Sequence, residues 1–117
     1  MSAAKDKGTR GESAVVAYLQ ARGFLDAERR ALRGDNDAGD IAGIPDVCIE
    51  VKNCAELRLA EWVDEAFAEA SNGEAEFGVV WHKRRRKVDP ADWYVTMRGE
   101  DFASLLLLFE RRGLVSR

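Results

Sequence analysis

Apolar positions along the chain fall into short runs whose spacing switches between helical and extended. From Gly11 to about Arg22, Val15, Val16 and Leu19 form one stripe, with Thr9 as a possible start and Gly23 as a fitting exit. Three strand-like runs follow: Glu28–Leu32, then Asp40–Ile44 and Val47–Asn53 joined around Pro45-Asp46, with the turn-rich "RGDNDAG" after the first. Helical spacing returns from about Leu57 to Ser71, where Leu59, Trp62, Val63, Ala66, Phe67 and Ala70 recur and the acids are assigned to the outer face. "FGVVW" (Phe77 to Trp81) is apolar without alternation, as a central strand covered on both sides should be. "HKRRRKVDPAD" then reads as an exposed turn and "WYVTM" as the return strand. A last helix runs from Glu100 to Arg112 on a Phe102-Leu105-Leu106-Phe109 face, with acids in its first turn, arginines in its last and Gly113 beyond. The expected order is αβββαββα, an α/β (α+β) fold with one mixed sheet flanked by helices.

The 117 residues suit one domain, 1–117, with residues 1–7 expected to be a flexible start. No apolar run has the length to cross a bilayer, and the charged "MSAAKDKGTRGE" lacks the apolar stretch of a secretory signal, so a cytoplasmic setting is expected. Cys48 and Cys54 lie roughly 20 Å apart if extended, too far to bridge, and are read as reduced thiols.

Charge changes the picture once it is divided. Net charge is −3, but residues 1–34 carry seven Lys/Arg against four Asp/Glu (+3), residues 35–76 two against twelve (−10), and residues 77–117 nine against five (+4). Because screening confines the field to about 10 Å, these segments act separately, and a basic rim around an acidic centre is expected.

The acidic centre contains "GDIAGIPDVCIEVKN", Gly39 to Asn53. If Ile44, Pro45 and Asp46 make the turn of a hairpin, Asp40 falls opposite Glu50, with a one-residue slip to Val51 as the alternative register. Facing carboxylates start from Cβ atoms roughly 5 Å apart and repel unless neutralised, for instance by a divalent cation. Lys52 projects from the same face about 7 Å along the strand. Asp46, roughly 13 Å from Glu50, is too distant to share an ion and reads as a turn former. Glu12 falls within the apolar arc of the first helix, which is costly unless it is paired. A Thr9–Glu12 capping box, in which Glu12 bonds back to the helix start, is the structural reading of that position.

These residues resemble the PD-(D/E)XK nuclease superfamily, with Asp40 as its first acid and Glu50-Val51-Lys52 as its E-X-K. "KGTRGESAVVAYLQARGF" followed by "ERRALRGDNDAGDIAGIP" resembles the opening of Holliday junction resolvases of the archaeal type and their phage relatives, and Lys7 to Asn53 carries the match. The resemblance implies a restriction-endonuclease-like fold and hydrolysis of DNA phosphodiesters. Asp40, Glu50 and the Val51 carbonyl would hold Mg²⁺, with Mn²⁺ as a substitute, and Glu12 would complete the acidic cluster, holding a second ion or the attacking water. Lys52 would orient or deprotonate the attacking water, or stabilise the transition state. It further implies branched DNA, a four-way junction above all, as the substrate, a homodimer because two opposed strands must be cut, and Arg10, Arg29, Arg30 and Arg33 as backbone contacts.

Lys83, Arg84, Arg85, Arg86 and Lys87 read either as a solvated turn or, between Trp81 and Trp93-Tyr94, as a phosphate-neutralising cluster. Leu107 and Leu108, off the main face of the last helix, offer candidate dimer contacts or equally complete a core within the chain. One histidine, His82, and two cysteines make a zinc site or a Ser-His-Asp triad improbable, and "DNDAGD" misplaces the ligands of a calcium loop. Other classes consistent with the chain are a nuclease with a different DNA substrate, a DNA-binding module without activity, and a plain interaction domain.

Overall fold

The computed structural model of the chain describes residues 3–31 and 37–113. Its elements are α1 (Ala3–Ala21), β1 (Glu28–Arg29), β2 (Ile41–Ala42), β3 (Val47–Lys52), α2 (Leu59–Asn72), β4 (Phe77–His82), a single 3-10 turn (Pro90–Asp92), β5 (Tyr94–Thr96) and α3 (Gly99–Arg111). The chain is a mixed α/β protein whose helices and strands follow the expected order.

The strands form two sheets, where the sequence suggested one. β3, β4 and β5 make a three-stranded sheet, parallel between β3 and β4 and antiparallel between β4 and β5, while β1 and β2 pair only with each other. The expected hairpin between Asp40–Ile44 and Val47–Asn53 is reduced to one backbone hydrogen bond, from the Asp40 N–H to the Ile49 carbonyl (2.9 Å). The reason is local. Gly39 (φ +100°) and Gly43 (φ +87°) bend the chain on either side of β2, and Asp46 turns it again at φ +64°. Two residues remain extended between those bends, too few for a ladder with β3. Asp46 is a turn residue as expected, and its carbonyl accepts from the Glu76 and Phe77 N–H groups, tying the start of β3 to that of β4.

β3 is a strand of two faces. Ile49 and Val51 point to the α1 side, in a core with Val15, Leu19, Ala27, Ile41, Val79 and Trp93. Cys48, Glu50 and Lys52 alternate with them and face α2, which is held on the sheet by Trp62 and Ala66 packed around Val80. The chemistry is thereby placed between the sheet and α2.

Two helix expectations need correction. α1 begins at Ala3, so Thr9 and Glu12 both lie inside it and the capping box does not form. Good helix formers (Ala3, Ala4, Lys5, Lys7) extend it upstream, and Asn53 Nδ2 donates to the Lys7 carbonyl (2.9 Å), fixing that extension to the exit of β3. Gly11 is required at the crossing, since a side chain there would begin 3.1 Å from the Asn53 Cβ. α3, read as packing on a Phe102-Leu105-Leu106-Phe109 face, has no buried residue, and Phe102, Leu106, Leu107 and Phe109 are exposed. Arg98, just before it, lies over the Phe67 ring at 4.5 Å. No helix among the described residues is long and apolar enough to cross a membrane.

Candidate metal centre

The site begins with how Asp40 is held. Gly39 lies against β3 so closely that a side chain there would start 2.6 Å from the Cys48 sulfur, and its positive φ disfavours any other residue. The next residue, Asp40, therefore meets the edge of β3: its N–H donates to the Ile49 carbonyl and its Oδ2 accepts from the Val51 N–H (2.8 Å). In a strand, the N–H and C=O of one residue point to the same edge. The Val51 carbonyl thus faces the Asp40 side, away from β4, whereas the Lys52 carbonyl on the other edge accepts from the Lys83 N–H (2.9 Å). The Asp40 backbone meets Ile49 and its side chain meets Val51, so neither of the two ladder registers expected from sequence forms.

Asp40 and Glu50 lie close enough to act on each other's ionisation, so the first two predicted acids do come together. Lys52 joins them, with Nζ 3.5 Å from Glu50 Oε2 and donating to Glu65 Oε1 at 3.2 Å. Glu12 stands at the border: Arg29 Nε donates to its Oε1 (3.1 Å), while its charge still acts on Asp40. Glu12 is thus paired, by Arg29 and not by a helix cap.

Three acids that sequence reasoning left on the surface also surround Glu50. Asp37, Glu50 and Glu69 each place a carboxylate oxygen within 4.8 Å of the others. Glu69 is 6% exposed and Glu65 half-buried, so part of the acidic face of α2 is turned inward. Their spacing carried the signal: Trp62, Glu65, Ala66, Glu69 and Ala70 recur at three- and four-residue steps, which puts both glutamates on the packed arc.

Electrostatics follow from this crowding. Burial, with Glu65, Asp40 and Glu69 adding to it, pushes the Glu50 carboxyl up to about 11, and burial raises Glu69 to about 7. Asp40 is also raised, by burial and by the charge of Glu12, against the opposing effect of the Val51 N–H. Burial disfavours the Lys52 ammonium, but Glu50 and Glu65 outweigh it and the pKa lies above that of an ordinary lysine. Burial likewise opposes ionisation of Glu65, yet hydrogen bonds from Glu50 and Lys52 win and lower its pKa. Glu50 Oε1 and Glu69 Oε2 are buried without a hydrogen-bond partner. Beside them, burial and the Glu69, Glu50 and Asp37 charges lift the Cys48 thiol to about 12, which makes it inert as a nucleophile.

The basic residues lie next to this cluster and not within it. Lys83, Arg84, Arg85 and Arg86 line a groove of about 740 Å³ with Lys7 and Tyr94, and its floor starts at Asn53, one residue past Lys52. No carboxylate among the described residues lines it. Arg84 stacks over Tyr94 at 4.6 Å and donates to the Asp92 carbonyl (3.0 Å), which fixes its guanidinium in place. His82 also borders the groove; its Nε2 is 2.8 Å from Thr96 Oγ1, and burial lowers its pKa. Arg10 and Arg30 are exposed, Arg29 is taken up with Glu12, Lys87 is exposed outside the groove lining, and Arg33 lies outside the described residues.

No family model, no curated protein and no solved structure matches the chain.

Proposed function

We propose that the chain is a Mg²⁺-dependent DNA endonuclease of the PD-(D/E)XK type with a restriction-endonuclease-like fold, acting on four-way junctions. The observation that carries this reading is the meeting of Asp40, Glu50 and Lys52 at the Val51 edge of β3, beside a groove lined by arginine and lysine. The donor set fits the ion: two adjoining carboxyl groups and a carbonyl edge offer only hard oxygen ligands, and a buried Glu50 oxygen has no partner. Asp40, Glu50 and the Val51 carbonyl would hold Mg²⁺, or Mn²⁺ in its place. When bound, the ion supplies Lewis-acid polarisation of the scissile phosphate and acidifies water.

The chain's own residues do the rest. The Val51 N–H fixes the Asp40 carboxylate, and Glu65 fixes Lys52 from α2. Because Glu50 and Glu65 keep Lys52 protonated, its part is that of a cation: it orients the nucleophile by hydrogen bonding and offsets charge on the phosphate, and does not act as a base. Glu12, paired with Arg29, borders Asp40 and would hold a second ion or the attacking water. The groove takes the DNA backbone through its lysines and arginines, which neutralise phosphates and carry no base readout of their own. A homodimer would supply the second cut, and the exposed apolar side of α3, with Leu107 and the neighbouring Leu108, is its proposed contact. Both cysteines are free thiols, which suits the reducing cytoplasm.

The test compares four-way junction, flap, duplex and single-stranded DNA with and without Mg²⁺. Paired symmetric nicks on the junction in Mg²⁺ support the reading. Cleavage of flap or duplex alone moves the chain to another nuclease of the same chemistry, and tight binding without cleavage of any substrate makes it a DNA-binding module.

The groove gives a separate prediction. Neutralising Lys83, Arg84, Arg85 and Arg86 together should flatten the dependence of log affinity on log salt by roughly three to four slope units, one per lost phosphate contact. An unchanged slope, measured by fluorescence anisotropy on junction DNA, would remove the groove from the DNA path.

A further inference from the structure

The carboxylates of Asp37, Glu50 and Glu69 point to a second cation site, on the α2 side of β3, with a different ligand set from the one formed by Asp40 and the Val51 edge. We infer that it binds a hard divalent cation and pins the segment carrying Asp40 to α2. Acidic residues in a cluster do not by themselves make a site. Here two of the three are more than nine-tenths buried, Glu50 at 4% and Glu69 at 6% exposure, and each aims an oxygen without a hydrogen-bond partner into the cluster. An orphaned buried carboxylate oxygen loses its hydration and receives nothing in return, a cost that a cation removes.

Among the described residues, the largest side-chain influences on Glu69 come from Glu50, Asp37 and Glu65, all acidic. Lys52, the nearest ammonium in the cluster, is engaged with Glu50 Oε2 and Glu65. Three carboxylates drawn together in this way offer only hard oxygen donors, the ligands a divalent cation such as Ca²⁺ takes.

The three ligands come from three parts of the chain: Asp37 from the segment before β2, Glu50 from β3 and Glu69 from α2. That segment already touches α2, since Asn72 Nδ2 donates to the Asp37 carbonyl (3.0 Å) and Gly73 leaves room for Ala38, whose Cβ would sit 2.8 Å from a side chain there. A cation at this point holds Asp37 and, three residues on, Asp40. The site shares Glu50 with the proposed catalytic centre, yet its existence does not depend on DNA cleavage.

Ca²⁺ alone is the first probe, with thermal unfolding of the full chain as the readout. The wild type and Asp40→Asn should both show a Tm that climbs with the logarithm of Ca²⁺ concentration. Asp37→Asn and Glu69→Gln should lose most of that climb, with the apparent affinity falling at least tenfold. Both substitutions keep the side-chain shape, and their Tm in EDTA reports whether they fold. Counting bound Mn²⁺ by electron paramagnetic resonance gives a second reading: one ion fewer in Glu69→Gln than in wild type. No Ca²⁺ response in the wild type, a full response in Glu69→Gln, or loss of the response in Asp40→Asn would each overturn the inference. A failure of the nuclease reading alone would leave every one of these binding results in place.

Discussion

Asp40→Asn and Lys52→Ala should each lower Mg²⁺-dependent DNA cleavage by at least about 10³-fold, while affinity for DNA measured in Ca²⁺ changes by no more than about threefold. The size follows from what each group is asked to do. Asp40 is one of two carboxyl ligands at the Val51 edge, and an amide there keeps the shape and gives up the charge. Lys52 is the one ammonium inside the acidic cluster among the described residues, and removing a preorganised charge aimed at a developing anion costs about 10²–10³ on its own. Loss of a metal's Lewis acidity adds to that. Binding should persist because the groove cations, Lys83 to Arg86, are untouched. Lys52→Ala also leaves Glu50 and Glu65 without their partner, so its Tm must be measured beside its rate. Glu61→Gln, an exposed acid in the first turn of α2, is the control and should cut at the wild-type rate. Wild-type turnover in either Asp40→Asn or Lys52→Ala would remove that residue from the chemistry.

The second large effect has opposite signs in two assays. Glu50→Gln should abolish cleavage and make the metal-free protein more stable. A carboxyl with an unfolded value of 4.5 that is protonated in the fold must take up a proton to fold at pH 7, at a cost on the order of 3 kcal/mol. Gln occupies the same space without that proton, so Tm in EDTA should rise by at least about 4 °C at pH 7. The pH dependence separates this from generic stabilisation. Because the folded pKa of Glu50 is raised, its favourable contribution is complete below 4.5 and is lost as pH climbs toward about 11. Asp40 and Glu69 are raised too and act in the same direction. His82, whose pKa burial lowers, acts oppositely but below its unfolded value of 6.5, and Glu65, lowered, acts below 4.5. Between pH 7 and 9, then, metal-free wild type should lose stability with rising pH, and Glu50→Gln should lose much less. A Tm that increases over that interval, or a Glu50→Gln protein less stable than wild type in EDTA, would show that the carboxyl is not held in its protonated form.

Much of the route to this site is written in local patterns. The Phe77–His82 strand was legible because four consecutive buried positions leave no polar alternation, and the parallel pairing of β3 with β4 follows from the helix that must connect them. Asp40, Glu50 and Lys52 were legible because charges inside strands are rare, and the structure brings all three together. What escaped depends on contacts distant in sequence. The upstream turn of α1 is anchored by Asn53, 46 positions away, which no capping rule near Thr9 could show. Glu65 and Glu69 occupy packed positions of α2 but were assigned outward on charge alone, although Lys52 and Glu50 await them across the sheet. The separation of β2 from β3 arises from three positive-φ residues in eight, Gly39, Gly43 and Asp46, whose combined bend no pairwise register argument includes. The apolar face of α3 has ordinary helical spacing, yet nothing in that spacing says whether its partner is in the same chain.

The most direct measurement is anomalous diffraction from a crystal of the full chain soaked in Mn²⁺. The account predicts a peak within about 2.3 Å of both an Asp40 and a Glu50 carboxylate oxygen, with the Val51 carbonyl as a third ligand and the Lys52 ammonium nearby. Density only among Asp37, Glu50 and Glu69, or none at the Asp40 edge, would contradict it.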